Sequence, residues 1–235
     1  MTQIQTNKIL FAGDPHGKFS QINDAAIEYK PEAIVLLGDI CTDKPLEEYL
    51  QPALREAKIY WIQGNHDFSS KLYFKNLFNS SLAEHSLHLK VVEVAGVRIA
   101  GVGGIFLGKM WYPPSIPKFK SLNDFLATQP SNIRKQGGNL KHKSTIFYDD
   151  IEKLKQFKAD ILVTHEAPSC HKYGFKVLDE LAKKMGVKKI IHGHHHEYYK
   201  STINDEIEVF GVNKAEIINL NGDVLNPTQR AEINE

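Results

Sequence analysis

Short, continuously apolar segments recur along this chain, and each ends at a polar turn. The clearest lie within 8–12, 33–37, 59–62, 161–164 and 189–191 of the 235 residues. A segment that is apolar throughout is typical of a β-strand buried on both faces, because a half-exposed strand alternates instead. Helical periodicity separates several of these segments. The pattern predicts an α/β fold built from strand–helix–strand units, with its sheet covered on both faces.

The remaining elements follow from local signals. Helical spacing predicts helices over 20–29, 44–56, 148–157 and 176–185. Two apolar segments around Ala95-Gly96 predict a hairpin, and the region 197–226 predicts antiparallel strands turning at Asn204-Asp205 and 221–223. The length predicts a single domain over 1–235, with a lid or loop region inserted at about 105–147, where the pattern is irregular.

Composition excludes several classes of protein. The net charge is +1, and no apolar segment approaches the length of about 20 residues that a membrane span needs. The first residues lack the charged-then-apolar pattern of a signal peptide. The two cysteines, Cys41 and Cys170, are too few for a disulfide framework. These features predict a cytoplasmic protein in a reducing compartment, without a membrane anchor.

Potential metal ligands follow five of the apolar segments. The side chains are Asp14 and His16, Asp39, Asn65 and His66, His165, and His194 and His196. In layered α/β folds the crevice at the carboxyl ends of the strands binds ligands, and mixed oxygen and nitrogen donors suit divalent cations. Residues two apart in an extended segment face one side, which pairs Asp14 with His16 and His194 with His196 and turns His195 away.

The set of candidate ligands is larger than the usual four of one structural zinc site. It suits two metals that share a carboxylate and lie about 3.5–4 Å apart, as in sites that catalyse displacement at phosphorus. Core packing alone does not explain five strands that each end in Asp, Asn or His.

The motifs, taken in order, are specific. Asp-Pro-His-Gly at 14–17, Gly-Asp at 38–39, Gly-Asn-His-Asp at 64–67, Thr-His at 164–165 and Gly-His-His-His at 193–196 resemble the motif series of the calcineurin-like metallophosphoesterase superfamily. The resemblance spans residues 8 to about 200. It implies a four-layer αββα sandwich of two mixed β-sheets flanked by helices.

The resemblance also implies a role for each residue. One metal would be held by Asp14, His16 and His196, the other by Asn65, His165 and His194, with Asp39 bridging. His66 would face the substrate as general acid while a metal-activated hydroxide attacks phosphorus. The implied cofactor is a pair of divalent ions, manganese first, with iron or zinc as alternatives. The implied partner is a phosphoester substrate, either a monoester or a diester.

One position departs from the protein phosphatase branch of that superfamily. There, a carboxylate three residues after the bridging aspartate orients the catalytic histidine, but Thr42 stands at that position here. This disfavours the protein phosphatase and diadenosine tetraphosphatase branches. Asp67 and Asp43 are the nearest candidates for the partner of His66. His171, six residues after His165, is a further candidate for a substrate contact.

The irregular region at 105–147 is strongly basic. It contains seven basic residues and one acidic residue, interleaved with Trp111, Tyr112, Phe119 and Phe125. One interpretation is a cationic lid over a nucleotide or a single-stranded nucleic acid, with Lys118 and Arg134 as candidate contacts, and therefore a nuclease or nucleotide phosphodiesterase. The other is a solvated loop whose aromatic residues pack back onto the domain.

A non-catalytic interaction module is a third hypothesis, because the superfamily includes a retromer component that keeps the fold for binding partners. The intact His66 and the full ligand set disfavour it. The sequence leaves open the natural substrate and the oligomeric state.

Overall fold

A computed structural model describes residues 6–228 of the chain. Its strands are β1 (Ile9–Ala12), β2 (Ala33–Leu36), β3 (Lys58–Trp61), β4 (Val91–Val94), β5 (Val97–Val102), β6 (Ile161–Thr164), β7 (Lys189–His192), β8 (Tyr199–Ile203), β9 (Ile207–Gly211), β10 (Ile217–Ile218) and β11 (Val224–Leu225). They form a five-stranded sheet in the order β11-β10-β1-β2-β3 and a six-stranded sheet in the order β4-β5-β6-β7-β9-β8.

Both sheets are mixed, with parallel strands at their centres. β1, β2 and β3 are parallel in the first sheet, and β5, β6, β7 and β9 are parallel in the second. The antiparallel strands β10 and β11 complete the first sheet, while β4 and β8 form the edges of the second. The parallel strands of each sheet therefore end at one common edge, where their loops can build a site.

Alternate residues of the buried strands face two different layers. Ile9 and Phe11 of β1 pack with Val163 of β6 in the apolar layer between the sheets. Leu10 and Ala12 belong to the cluster that also includes residues of the adjoining helices. A third cluster lies between the second sheet and the helices that cover it. The arrangement is the four-layer αββα sandwich of two mixed sheets, so the predicted fold is confirmed.

Helices cover the outer face of each sheet. The α-helices are Ser20–Tyr29, Leu46–Tyr49, Gln51–Leu54, Lys71–Phe78, Leu122–Ala127, Ser131–Lys135, Leu140–Lys143, Tyr148–Leu154 and Lys176–Met185, with 3-10 helices at His66–Phe68 and Ala83–His85. Among the described residues, no helix combines the length and the apolar character that crossing a membrane requires.

The single helix predicted over 44–56 is wrong. The structure has two short helices there, separated at Leu50, whose φ of −104° and ψ of 13° are not helical. Pro52 lacks the N–H that would bond to the Glu48 carbonyl, and its ring crowds that carbonyl. The proline therefore ends the first helix, a signal that the apolar periodicity of the segment masked.

The basic region at 105–147 folds around its own small apolar cluster. Met110, Phe125 and Phe147 are buried together there, and Phe119 packs against them. Trp111 is only 5% exposed, whereas Tyr112 is 53% exposed. Most of the aromatic side chains therefore pack inward, as the second interpretation expected, and are not free to stack on bases.

Candidate metal centre

The predicted ligand residues lie where the carboxyl edges of the two sheets meet. His165, directly after β6 of the second sheet, places Nδ1 2.8 Å from the carbonyl oxygen of Leu37, after β2 of the first sheet. The backbone N–H of His194, after β7, donates to Oδ2 of Asp14, after β1, at 2.7 Å. Two hydrogen bonds thus join the sheets at their loops, and both involve candidate ligands.

The ligand turns have left-handed backbone conformations. Positive φ angles occur at Asp14 (29°), His16 (46°), Asp39 (48°), His194 (71°) and His196 (53°). The extended geometry assumed for Asp14-x-His16 and His194-x-His196 is therefore wrong. Non-glycine residues at positive φ cost about 1 kcal/mol or more each, and such strain concentrates at functional sites.

Glycines beside the ligands allow the turns to approach closely. A Cβ atom at Gly64 would lie 2.2 Å from Oδ1 of Asp39, and one at Gly193 would lie 2.3 Å from Oδ1 of Asp14. A Cβ atom at Gly38 would lie 2.4 Å from Nδ1 of His165. Any larger residue at these positions would push a candidate ligand away from the centre.

The first group of ligand atoms contains His16, Asp39 and His196, whose donor atoms all lie within 4.8 Å of one another. Nε2 of His16 lies 3.2 Å from Nε2 of His196 and 3.7 Å from Oδ2 of Asp39. Asp14 belongs beside this group, because its Oδ2 lies 3.3 Å from Nε2 of His196.

The second group contains Asp39, His165 and His194, again with donor atoms within 4.8 Å of one another. Nε2 of His165 lies 3.4 Å from Oδ1 of Asp39 and 3.2 Å from Oδ1 of Asn65. Asp39 is the member common to both groups. The arrangement brings together all seven side chains that the resemblance assigns to the two metals.

The chemistry of these atoms fits two divalent cations. Since the Leu37 carbonyl can only accept a hydrogen bond, Nδ1 of His165 carries a proton, and Nε2, beside two oxygen acceptors, is the nitrogen that would lose its proton to bind a cation. Oδ1 of Asp14 is buried and has no hydrogen-bond partner among the described residues. Converging lone pairs and an unpartnered buried carboxylate oxygen repel one another unless a cation lies between them.

The pKa values show the same concentration of charge. Burial lowers the pKa of His165, but the carboxylates of Asp39 and Asp14 outweigh this effect and raise the pKa to about 10. Burial and the charge of His165 lower the pKa of His194 to about 3. Burial raises the pKa of Asp39, yet His165 and the His66 N–H hold it well below its usual range. In the metal-free protein a proton on His165 therefore balances the carboxylates.

His66 is exposed at the start of the 3-10 helix His66–Phe68. Its backbone N–H donates to Oδ1 of Asp39 at 2.8 Å, and its ring lies 5.4 Å from the ring of His16. The turn that carries the candidate acid is therefore fixed to the carboxylate that both ligand groups share.

Neither carboxylate expected beside His66 contacts its ring. Asp67 is buried and accepts hydrogen bonds from the Cys41 N–H at 2.9 Å and the Gly64 N–H at 2.8 Å. Asp43 accepts a hydrogen bond from the Tyr49 hydroxyl. Asp67 instead connects the turn containing Asp39 to the turn containing His66, and Asp43 lies on the surface.

His171 lies behind the centre rather than among the ligands. It is buried, its ring stacks on that of His195 at 4.0 Å, and its Nδ1 accepts a hydrogen bond from the Tyr173 N–H at 3.2 Å. His192, also buried, bonds to the Tyr199 hydroxyl at 2.6 Å. His171 therefore packs against the turn at 193–196, and neither it nor His192 belongs to the two groups of ligand atoms.

Two other neighbours of the ligands were not anticipated from the sequence. Glu166 is buried, its Oε1 accepts a hydrogen bond from the Phe106 N–H at 3.0 Å, and its Oε2 lies 3.9 Å from Nε2 of His194. Sγ of Cys41 lies 3.5 Å from Nδ1 of His16. Their adjacency to the motifs was the only sequence signal available.

Lys118 and Arg134, the predicted substrate contacts of the basic region, have different surroundings. Lys118 donates from Nζ to the Gly108 carbonyl at 3.0 Å, whereas Arg134 is exposed on the short helix Ser131–Lys135. Lys109, Lys120 and Lys143 each lie over an aromatic ring, with Nζ between 5.3 and 5.8 Å from the ring centroid. Several of the basic side chains thus stabilise the region that carries them.

Comparison with known proteins agrees with this geometry. Residues 7–198 match the family model described as calcineurin-like phosphoesterase. An uncharacterized protein of Haemophilus influenzae is 40% identical over 192 residues, which cover 81% of this chain and 84% of that protein.

Two solved structures share the fold at low sequence identity. The protein TT1561 of Thermus thermophilus has a TM-score of 0.59 at 14% identity, with 94% of this chain and 98% of that chain covered. A dimetal phosphatase from Danio rerio has a TM-score of 0.51 at 12% identity, with 91% and 93% covered. With its strand-end motifs and paired ligand groups, the chain belongs to the calcineurin-like phosphoesterase family of metal-dependent hydrolases that act on phosphoester bonds.

Proposed function

We propose that this protein hydrolyses phosphoesters with two divalent cations, one held by Asp14, His16 and His196 and the other by Asn65, His165 and His194, with Asp39 bridging. The observation that carries the proposal is that Asp39 belongs to both groups of ligand atoms. A carboxylate shared by two groups of ligands suits a pair of metals that act together in an in-line displacement at phosphorus.

The cations would supply charge neutralisation of the phosphate oxygens and a nucleophile at neutral pH. The chain supplies the rest. His66, exposed and tied through its backbone to Asp39, is positioned to hold a proton at the edge of the centre and to donate it to the leaving oxygen. The Leu37 carbonyl fixes the tautomer of His165 and keeps its Nε2 free.

Manganese is the proposed metal, with iron or zinc as alternatives. The donor set of carboxylates, one amide oxygen and imidazoles is of intermediate hardness and contains no thiolate ligand, which disfavours a purely soft metal. Burial raises the pKa of the nearby Cys41 thiol, so this side chain stays protonated and is a poor ligand.

The test is hydrolysis of p-nitrophenyl phosphate and bis-p-nitrophenyl phosphate by protein supplemented with manganese, iron or zinc. We expect turnover of at least one ester, which distinguishes a monoesterase from a diesterase. Asp39→Asn should reduce kcat by at least 100-fold, and His66→Ala should reduce it by about 100-fold. His142→Ala is the matched control, because this ring packs on Phe125 away from the ligand groups. Protein that is inert on both esters with every metal would refute the proposal.

We also propose a cytoplasmic location. Cys41 and Cys170 are both free thiols, which is usual for proteins of reducing compartments. Fractionation of cells that express the protein at its native level, with detection by antibody, measures this directly.

A further inference from the structure

Two exposed lysines lie in the segments that flank the ligand turns of the metal centre. Lys18 and Lys214 are exposed, and within residues 6–228 neither side chain has a hydrogen bond or an ion-pair partner within 4 Å. The lysines of the basic region at 105–147 are more often engaged, for example Lys118 with the Gly108 carbonyl and Lys143 with the Phe74 ring. Lys18 and Lys214 therefore keep their charge available to a ligand.

Both lysines line one cavity beside the turn of the first metal group. The cavity has a volume of about 590 Å³, and its lining includes Gly17, Lys18, Ser20, Gln21, Tyr49 and Lys214. Gly17 directly follows the candidate ligand His16. Part of the cavity wall is therefore formed by the residue next to a candidate metal ligand.

The backbone fixes both lysines to the ligand turns. The Lys18 N–H donates to the Pro15 carbonyl at 2.9 Å, and the Gly17 N–H donates to the Ile40 carbonyl at 2.9 Å. On the other side, the N–H of Ala215 donates to the Gly13 carbonyl at 2.8 Å. The position of Lys214 is thus fixed relative to the Asp14 turn, and the position of Lys18 is fixed relative to the His16 turn.

The acidic side chains around the cavity are already engaged. Asp43 accepts a hydrogen bond from the hydroxyl of Tyr49, whose ring has Nζ of Lys44 5.7 Å from its centroid. Glu216 accepts a hydrogen bond from the Asn213 N–H at 3.1 Å. These hydrogen bonds hold both carboxylates without removing their charge, and Lys18, Lys44 and Lys214 against Asp43 and Glu216 leave a net charge of +1 (three minus two) around the cavity.

We propose that Lys18 and Lys214 bind a second phosphate of the substrate, so that the natural substrates are phosphoesters with another phosphate near the scissile one. Two ammonium groups at an open cavity suit a phosphate, which carries about −2 charge and several acceptor oxygens. The proposal rests on the proposed function, since the scissile phosphate must occupy the metal centre. It moves the recognition of an anionic substrate from the basic region at 105–147 to the Asp14 and His16 turns.

The test measures binding of non-hydrolysable probes by isothermal titration calorimetry with manganese-supplemented protein. Propylphosphonate carries one phosphonate, and a series of α,ω-alkylene diphosphonates with two to five methylene groups adds a second at increasing distance. We expect at least one diphosphonate to bind about tenfold more tightly than propylphosphonate. The chain length that binds best measures the separation of the two anion sites.

The variant Lys18→Ala/Lys214→Ala should lose this gain while its affinity for propylphosphonate stays within about twofold of the native value. The control Lys58→Ala/Lys188→Ala removes the same charge at exposed positions beside the opposite ends of the strands, and it should keep the gain. Thermal unfolding verifies that both variants are folded.

The outcomes separate the two proposals. No gain for any diphosphonate, or a gain that survives in Lys18→Ala/Lys214→Ala, overturns the second-phosphate site even if aryl phosphates are hydrolysed. A lysine-dependent gain in a protein that hydrolyses neither aryl ester supports the anion site and refutes the proposed function.

Discussion

The Ser69 hydroxyl oxygen lies 3.4 Å from Nδ1 of His66. The sequence predicted a carboxylate, Asp67 or Asp43, as the partner of the His66 ring, but the ring contacts this hydroxyl instead. A hydroxyl can accept a hydrogen bond from the ring without stabilising its charge as strongly as a carboxylate would. The structure therefore points to a neutral partner for the candidate acid.

Ser69→Ala should lower kcat for aryl phosphate about fivefold and leave KM nearly unchanged, because one neutral hydrogen bond contributes about 1 kcal/mol. Steady-state kinetics and the pH profile of kcat measure the effect. Ser70→Ala is the matched control. Ser70 caps the helix Lys71–Phe78 by accepting the Tyr73 N–H at 3.0 Å, so its loss should cost about 1 kcal/mol of stability with little effect on kcat. Equal kinetics of native protein and Ser69→Ala would contradict a role for this contact.

Asp67→Ala should destabilise the protein and weaken metal binding together. Removal of the carboxylate leaves the buried N–H groups of Cys41 and Gly64 unpaired, which costs about 2–4 kcal/mol. Urea unfolding of metal-free protein measures the stability, and calorimetric titration with Mn²⁺ measures the affinity. Asp67→Asn keeps an acceptor for one of the two N–H groups and should show a smaller loss of both. Native metal affinity in a destabilised Asp67→Ala protein would contradict the connection between the two turns.

Metal uptake should release about one proton at pH 7.5. The folded, metal-free protein holds a proton on His165, whose pKa of about 10 lies above its ordinary value of 6.5. The stability that this proton confers is fully present below pH 6.5 and is lost as the pH rises through about 10. Titrations with Mn²⁺ in two buffers of different ionisation enthalpy measure the proton count. Identical apparent enthalpies in both buffers would show that His165 carries no proton at that pH.

His88 should make the protein less stable in mild acid. Nδ1 of His88 accepts a hydrogen bond from the Gly103 N–H at 3.1 Å, which a protonated Nδ1 cannot do. Burial and the charge of Lys153 lower its pKa to about 4. Because the unfolded chain binds a proton near pH 6.5, this contribution to stability is present above pH 6.5 and is lost as the pH falls to about 4.

His88→Asn keeps an acceptor and removes the titration. As the pH falls from 7 to 4.5, urea unfolding should show the native protein losing about 1–2 kcal/mol relative to His88→Asn, a value reduced because the ring is only partly buried. His85→Asn is the control for replacing a nearby histidine. A constant difference between native protein and His88→Asn across this range would refute the assignment.

Local sequence signals predicted most of the strands and the longer helices. The run of apolar residues fixed β1, β2, β6 and β7 to within a residue, and the helices Ser20–Tyr29 and Lys176–Met185 occur where the periodicity placed them. Asn204 and Asp205, with φ of 52° and 55°, form the turn between β8 and β9 that their residue types favour. The prediction of a single helix over 44–56 was wrong because Pro52 interrupts a segment whose apolar periodicity is helical throughout.

The sequence by itself determined which donor atoms the site would contain, because a polar residue that ends a buried strand must lie at the edge of a sheet. Only the tertiary structure decided that these edges meet. Asp14 and His194 are 180 residues apart, and no local pattern records the hydrogen bond between them. The left-handed ligand turns and the cavity that Lys18 and Lys214 share also depend on contacts between distant parts of the chain. Local periodicity reports which face of an element is buried, whereas the position of one turn against another depends on contacts between distant parts of the chain.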